Sequence, residues 1–129
     1  MDSESNKKVV EQYEELAFHK KDIKAAAELI ADNFKQHNPQ VPDGKDGVIN
    51  GIGGYLLAQN PNLKVETKRV VAEGDMVVVH KWGTFDSSNA SDRGMAIIDI
   101  FRLENGKIAE HWDVIQPIPE QSANNNTMF

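Results

Sequence analysis

The chain has 129 residues, of which 40% are hydrophobic and 26% charged, and it contains no cysteine. This length suits one domain with a single core, and the absence of thiols excludes disulfides, thiol nucleophiles and cysteine-ligated metals. The net charge of −6 argues against a nucleic-acid or anionic-membrane surface. No apolar run approaches the ~20 residues of a membrane span, and the polar start lacks a signal peptide's apolar core, so we expect a cytoplasmic protein.

The first half of the chain has the apolar spacing of helices. Apolar residues recur at intervals of three and four, which marks one helix face: Val9, Val10, Tyr13, Leu16 and Ala17. Ser3 or Ser5 is expected to cap this helix, and Asp22 to cap a second short one. A third helix is predicted in GVINGIGGYLLAQNP, ending at Pro61, although its internal glycines weaken it by roughly 1 kcal/mol each.

The second half has the pattern of paired β-strands. LKVETKRVVAEGDMVVVHKWGTF contains two strands separated by a turn, and RGMAIIDIFRLENGKIAEHWDVIQP contains two more. The dipeptide Asn105-Gly106 predicts a two-residue hairpin, because both central residues of such a turn need positive φ. Helices followed by an antiparallel sheet indicate an α+β fold. We expect one domain over residues 1–129, with 117–129 as an extended tail.

The hairpin allows the two sheet faces to be sorted by simple alternation. With Asn105 and Gly106 in the turn, Asp99 is expected opposite Trp112. Both faces are then largely apolar, whereas a solvated face would alternate with polar residues. One face is therefore expected under the helices and the other against a second copy, as a homodimer.

Asp99 stands out because it lies in the apolar run MAIIDIF. Burial disfavours a charged carboxylate, so its pKa is expected to rise, and such a carboxyl is a competent general acid or base. The alternative is structural, with Asp99 accepting hydrogen bonds from the backbone or a tyrosine. The loop DSSNASD does not fix the register of strand 76–86, and we expect His80 and Trp82 to share the cavity with Asp99, leaving Lys81 outside.

The segment IDIFRLENGKIAEHWDVIQPIP, together with FKQHNP, resembles the SnoaL-like branch of the nuclear transport factor 2 (NTF2)-like superfamily. More narrowly, the chain is similar to the SnoaL-like aldol-condensation group. The pattern D-x-F-R-x-x-x-G-K-I-x-E-H-W-D carries the likeness, which extends over nearly the whole chain. It implies a cone-shaped fold, in which a curved antiparallel sheet wraps N-terminal helices around a pocket. It also implies that Asp99 acts as acid/base, that His80 lines the pocket, and that His37 and Asn38 lie at its mouth.

Three further residues have two interpretations each, and a fourth has one. Trp82 and Trp112 either stack on a ligand or belong to the core. Glu110 is either a second pocket carboxylate or a rim residue. His111 is expected on the opposite face, as a satisfied polar group in a subunit interface.

The residue types alone would also permit a metal site. His37, His80 and Asp99 would supply the two histidines and one carboxylate that bind non-haem iron. No pair of them has a local ligand spacing, and the same residues suit metal-free acid/base work. We therefore expect neither metal nor cofactor.

Two functions remain open from the sequence. The first is a metal-free acid/base catalyst on a small apolar carbonyl compound, acting by aldol closure, isomerisation or dehydration. The second is a non-catalytic module of the same fold that binds a small ligand or dimerises. The fold by itself does not decide between them.

Overall fold

A computed structural model describes residues 2–129 as three helices packed on a five-stranded sheet. Two of the helices continue as π-helical segments. The helices are α1 (Ser3–Glu14, continuing as Glu15–His19), α2 (Ile23–Ala27) and α3 (Gly44–Gly47, continuing as Val48–Leu57). The strands are β1 (Ile30–Gln36), β2 (Lys64–Glu73), β3 (Met76–Thr84), β4 (Met95–Glu104) and β5 (Lys107–Pro117).

The sheet has the strand order β1-β5-β4-β3-β2. Strands β2 to β5 form an antiparallel meander, whereas β1 pairs with β5 in parallel. The predicted α+β fold is confirmed, but the sheet is mixed rather than purely antiparallel, because β1 pairs in parallel with β5. The chain leaves α2 at Ala27 and enters β1 at Ile30, where the sequence favoured a longer helix.

The local signals for caps and turns are mostly confirmed. Asp22 caps α2 by accepting from the Ala25 amide, while α1 is capped by Asp2 rather than by either predicted serine. Asn105 and Gly106 both have positive φ, 53° and 77°, as the hairpin requires.

A β-bulge in β5 changes which side chains face the core. Leu103 lies opposite Ile108, but Arg102 lies opposite Glu110, so Ala109 is an extra residue on β5. Ile108 and Ala109 are consecutive and both buried, as expected where two residues oppose one. Beyond this bulge every side chain of β5 points to the face opposite the one that simple alternation predicts.

The core lies between the helices and the inner face of the sheet. Its members come from all three helices and all five strands, and the largest fully buried ones are Val10, Val48, Val77, Val79 and Ile108. Two edge-to-face ring contacts join Tyr13 of α1 to Phe18 and Phe101. No helix among residues 2–129 is long and apolar enough to cross a membrane.

The glycines that weaken the third helix permit a close approach of the preceding loop. A Cβ at Gly47 would lie 1.9 Å from the carbonyl oxygen of Pro42, whereas a Cβ at Gly54 would meet nothing closer than 3.9 Å. The low helix propensity of this segment is therefore offset by packing that only glycine allows at Gly47.

The substitution Gly47→Ala is expected to destabilise the protein by about 1–3 kcal/mol, the usual cost of overpacking. The matched substitution Gly54→Ala adds the same methyl group in open space, and is expected to be neutral or to stabilise by up to ~1 kcal/mol. Urea unfolding of both variants measures the difference. Equal stability of the two variants would contradict the role given to Gly47.

The C-terminal tail lies along the outer face of the same sheet. The Phe129 ring stacks 5.5 Å from the His80 ring, and its carbonyl oxygen accepts from Arg69. Elsewhere the outer face keeps exposed apolar side chains, among them Val114 and Ile98. The homodimer through this face stays a prediction.

Candidate active site

A cavity of about 750 Å³ opens between the helices and the inner face of the sheet. This volume lies within the ~300–1,000 Å³ of typical small-molecule sites. Most of the lining is aliphatic or aromatic, and seven polar side chains belong to strands or their ends: Gln36, Asn38, Lys81, Thr84, Asp99, His111 and Asp113. The sequence could not show a cavity of this size.

Asp99 lies in the middle of β4, faces this cavity and is 3% exposed. Its Oδ1 lies 2.8 Å from His111 Nε2, and its Oδ2 lies 2.8 Å from Lys81 Nζ. Oδ2 is itself buried, and its partner among residues 2–129 is the Lys81 ammonium. The two oxygens of Asp99 thus have different partners, an imidazole and an ammonium.

Lys81 is the main surprise of the site. It was expected outside, yet it is 5% exposed and lines the cavity next to Asp99. Its ammonium also donates to both carboxyl oxygens of Glu14, at 2.9 and 3.2 Å, and lies 4.4 Å from the centre of the Phe18 ring. The physical reason is compensation, because a buried ammonium is tolerated where carboxylates surround it.

The pKa values of the two carboxyl groups move in opposite directions. Burial opposes ionisation of Asp99, but the Lys81 ammonium and then the His111 hydrogen bond outweigh it, so the pKa of Asp99 is lowered. The predicted rise is therefore wrong, since the sequence did not reveal a buried cation. At Glu14 burial outweighs the attraction of Lys81, and the pKa of Glu14 is raised. Of the two carboxyl groups, Asp99 is therefore the one that ionises more readily.

His111 is held at both ring nitrogens. Nδ1 lies 2.7 Å from Gln36 Oε1, and the same oxygen accepts a hydrogen bond from the backbone N–H of Asn38 at 3.1 Å. An amide oxygen only accepts, so Nδ1 carries a proton and Nε2 faces Asp99 Oδ1. Asp99 and His111 thus share one hydrogen bond, which fixes the carboxylate against the ring.

Sequence reasoning placed His111 on the wrong face. The bulge at Ala109 brings His111 and Asp113 inward and turns Glu110 and Trp112 outward. No sequence signal marks a bulge at this position, because Lys-Ile-Ala-Glu-His alternates acceptably in either register.

Asp113 joins the polar end of the cavity from β5. Its Oδ2 accepts from Asn38 Nδ2 at 2.8 Å and lies 3.9 Å from His111 Nε2. Asn38 therefore lies in the cavity wall.

Asp99, His111 and Asp113 bring ligand atoms within 4.8 Å of one another, and they are the residues that could hold a metal ion. Their donor atoms are of the right kind for several divalent metals. However, the Lys81 ammonium lies 2.8 Å from Asp99 and would repel a cation at this place. The donor set fits acid/base chemistry better than metal binding.

His80 and Trp82 do not share the cavity with Asp99, so that prediction is wrong. The register of β3 puts Val77, Val79 and Lys81 inward, and both aromatic residues outward. His80 contacts Arg69 and stacks on Phe129. The Trp82 indole donates to the Arg93 carbonyl oxygen at 2.9 Å.

Three more candidates lie together outside the cavity lining. The His37 ring stacks on Trp112 at 4.9 Å, and its Nε2 lies 2.7 Å from Glu110 Oε2. Glu110 also accepts from Arg102 at 3.0 Å. The expected pairing of Trp112 with Asp99 is wrong, because Trp112 lies opposite Ile100.

Tyr13 of α1 supplies a hydroxyl to the cavity that sequence reasoning named only as a structural partner. It is 5% exposed and lines the cavity. Burial first, and then the charge of Glu14, raise the pKa of Tyr13, so its hydroxyl stays protonated at neutral pH. It is a neutral hydrogen-bond donor.

A curved sheet around N-terminal helices, with an inward-facing carboxylate at the end of an apolar cavity, defines an NTF2-like protein. The chain belongs to the SnoaL-like polyketide cyclase family, whose sequence model matches residues 7–120. The resemblance seen in the sequence is thereby confirmed. No curated protein matches the chain.

Solved structures share the fold over most of the chain. TsrD from Streptomyces laurentii is 22% identical, with a TM-score of 0.71 over 89% of this chain and 90% of that chain. Bal32a, from a soil-derived mobile gene cassette, is 18% identical, with a TM-score of 0.75 over 89% and 92%. An NTF2-like protein of unknown function from Mesorhizobium loti is 18% identical, with a TM-score of 0.72 over 88% and 93%. At these identities the likeness shows the fold alone.

Proposed function

We propose that the protein is an acid/base catalyst that enolises a small, apolar carbonyl compound in this cavity. Enolisation is the shared first step of aldol closure and of carbonyl isomerisation. The observation that carries the proposal is the state of Asp99. Its carboxylate lies at the polar end of an apolar cavity, between the His111 ring at one oxygen and the Lys81 ammonium at the other.

In the proposed reaction Asp99 is the base. Its carboxylate takes a proton from the carbon next to the substrate carbonyl, and the C–H electron pair becomes part of the enolate. In an aldol closure the enolate carbon then attacks a second carbonyl carbon, forming a C–C bond and an alkoxide. The alkoxide takes the proton back from Asp99, so the carboxylate is regenerated and no cofactor is consumed.

The enolate oxygen needs a donor that is already in place when the charge develops. Tyr13 is the best candidate, because its hydroxyl is protonated at neutral pH and belongs to the cavity wall. In a cavity with few competing waters such a donor stabilises the developing negative charge more than it would in bulk solvent. The mainly apolar lining supports the same step, since it excludes water from the enolate.

The proposal is tested by α-proton exchange. Purified protein is incubated in D₂O with a panel of apolar ketones and 1,3-dicarbonyl compounds, and deuterium incorporation is followed by NMR. A ketone of similar size without α-hydrogens serves as the control substrate. We expect exchange above the buffer rate for at least one enolisable compound, and none for the control.

The alternative is a non-catalytic ligand-binding module, which the large apolar cavity also suits. In that case the same compounds would bind, by isothermal titration or by ligand-observed NMR, without exchange. The catalytic proposal would be overturned if the compounds bind and none of them exchanges its α-protons faster than in buffer.

A further inference from the structure

Two buried carboxyl groups share one buried ammonium behind the proposed base. The Lys81 side chain is 6% exposed, as is that of Glu14, and that of Asp99 is 4% exposed. Lys81 Nζ lies 2.9 Å from Glu14 Oε1 and 2.8 Å from Asp99 Oδ2. Glu14 itself is absent from the cavity lining, which includes Lys81 and Asp99. Glu14 therefore reaches the reacting end of the cavity only through Lys81.

The proposed reaction changes the charge of Asp99, and this affects the buried ammonium beside it. When Asp99 takes a proton from substrate it becomes neutral, and a lysine paired with Asp99 alone would be left as an uncompensated buried cation. Removing one partner of a buried ion pair is strongly unfavourable. Glu14 gives the ammonium a second partner that stays in place while Asp99 changes its charge.

We propose that Glu14 and Lys81 are positioning residues for Asp99, with Lys81 holding it as a carboxylate before proton transfer and Glu14 compensating Lys81 after it. The proposal rests on the proposed function for its catalytic part, whereas its electrostatic part concerns Asp99 alone. Neither residue takes the substrate proton. Glu14 connects the last turn of α1 to the chemistry on β3 and β4.

Other charged or titratable groups also surround Asp99. His111 and Asp113 approach from β5, and Tyr13 approaches from α1. Among these groups Lys81 is the buried cation, at 5% exposure. The two carboxyl groups outweigh the burial of Lys81, and the pKa of Lys81 is raised.

A lysine that lines a carbonyl-binding cavity also suggests a covalent role. A neutral amine would attack the carbonyl carbon and lose water to form an imine. Lys81 does not fit this role, because Glu14 and Asp99 keep it as an ammonium without a free electron pair. Treatment with borohydride in the presence of substrate is therefore expected to leave Lys81 unmodified by mass spectrometry. A reduced adduct on Lys81 would overturn the proposal.

The electrostatic part is tested without any substrate. Carboxyl carbons are labelled with ¹³C, and the Asp99 resonance is titrated in wild type, Lys81→Met and Lys81→Arg. Removing a cation this close is expected to raise the Asp99 midpoint by about one to three pH units, and Lys81→Arg is expected to keep it low. Should Lys81→Met fail to fold, Glu14→Gln/Lys81→Met removes both charges together and is expected to show the same upward shift. An Asp99 midpoint that stays low without Lys81 overturns the proposal.

The catalytic part is tested with Glu14→Gln, which keeps the shape of the side chain and removes its charge. We expect α-proton exchange to fall roughly tenfold at an almost unchanged KM. The reason is that protonation of Asp99 then leaves the buried Lys81 ammonium without a negatively charged partner. The Asp99 midpoint is expected not to rise, in contrast to Lys81→Met. Glu110→Gln on the outer side is the matched control and is expected to keep the wild-type rate. A wild-type exchange rate in Glu14→Gln overturns the catalytic part.

The results of these two tests distinguish failure of the positioning role from failure of the proposed function. If wild type shows no exchange with any compound, the ¹³C titration still decides whether Lys81 holds Asp99 ionised. If wild type exchanges and the titration shows no effect of Lys81, the proposed function stands and the positioning role is lost.

Discussion

Asp99→Asn is expected to reduce α-proton exchange by about 10²- to 10⁴-fold, the usual contribution of a general base. Asparagine has nearly the same shape but offers no carboxylate to take the proton. The variant is expected to remain folded, because Lys81 keeps its contacts with Glu14. Exchange rates and thermal unfolding of the same preparation separate loss of chemistry from loss of structure.

The matched control is Asp32→Asn in β1, whose side chain is exposed and makes only a 3.7 Å ion pair with Lys45. It is expected to keep the wild-type rate. If Asp99→Asn keeps the wild-type rate, Asp99 is not the base.

The pH profile of exchange gives a second check on Asp99. Lys81 and His111 hold the pKa of Asp99 below its usual value, so the base is ionised at neutral pH. The exchange rate is therefore expected to fall only below the pH at which an ordinary aspartate becomes protonated.

His111→Gln is expected to lower exchange by roughly 10²-fold, as when a reacting group is displaced by about 1 Å. The imidazole bonds to Asp99 Oδ1 on one side and to Gln36 Oε1 on the other, which fixes the position of the carboxylate. Glutamine can replace one of these hydrogen bonds but not both.

His80→Gln is the matched control, because it makes the same change on the outer face of β3. We expect wild-type exchange from this variant, since its contacts are with Arg69 and the Phe129 ring rather than with the cavity. The comparison discriminates between the histidine that the sequence suggested and the one that the structure brings to Asp99. Loss of activity in His80→Gln with wild-type activity in His111→Gln would reverse the assignment.

The sequence predicted the fold class from local signals that do not depend on distant contacts. The helix period of the first half, the Asp22 cap and the Asn105-Gly106 turn are properties of short segments. Asp99 was identified in the same way, because a carboxylate in an apolar strand is unusual wherever the strand lies. The family resemblance added the shape of the sheet around its helices.

The partners of Asp99 could not be predicted, because they depend on face and register. A single extra residue at Ala109 exchanges the two faces of β5, which brings His111 inward and takes Trp112 outward. The side chains of β3 are compatible with either face of the sheet, and only packing against the core fixes which of them point inward. Lys81 seemed the easier residue to expose, since the cost of burying an ammonium was apparent and its compensation by Glu14 was not.

By itself the sequence determined an α+β chain of the SnoaL-like kind, with one carboxylate placed where burial makes it unusual. Only the tertiary structure decided what surrounds that carboxylate. Glu14, Lys81, Asp99 and His111 come from four different elements, and their contacts depend on how a bulged strand and a helix end pack on the sheet. Such contacts reverse the sign of the pKa shift that burial alone predicts for Asp99, because nearby charges outweigh the loss of solvent.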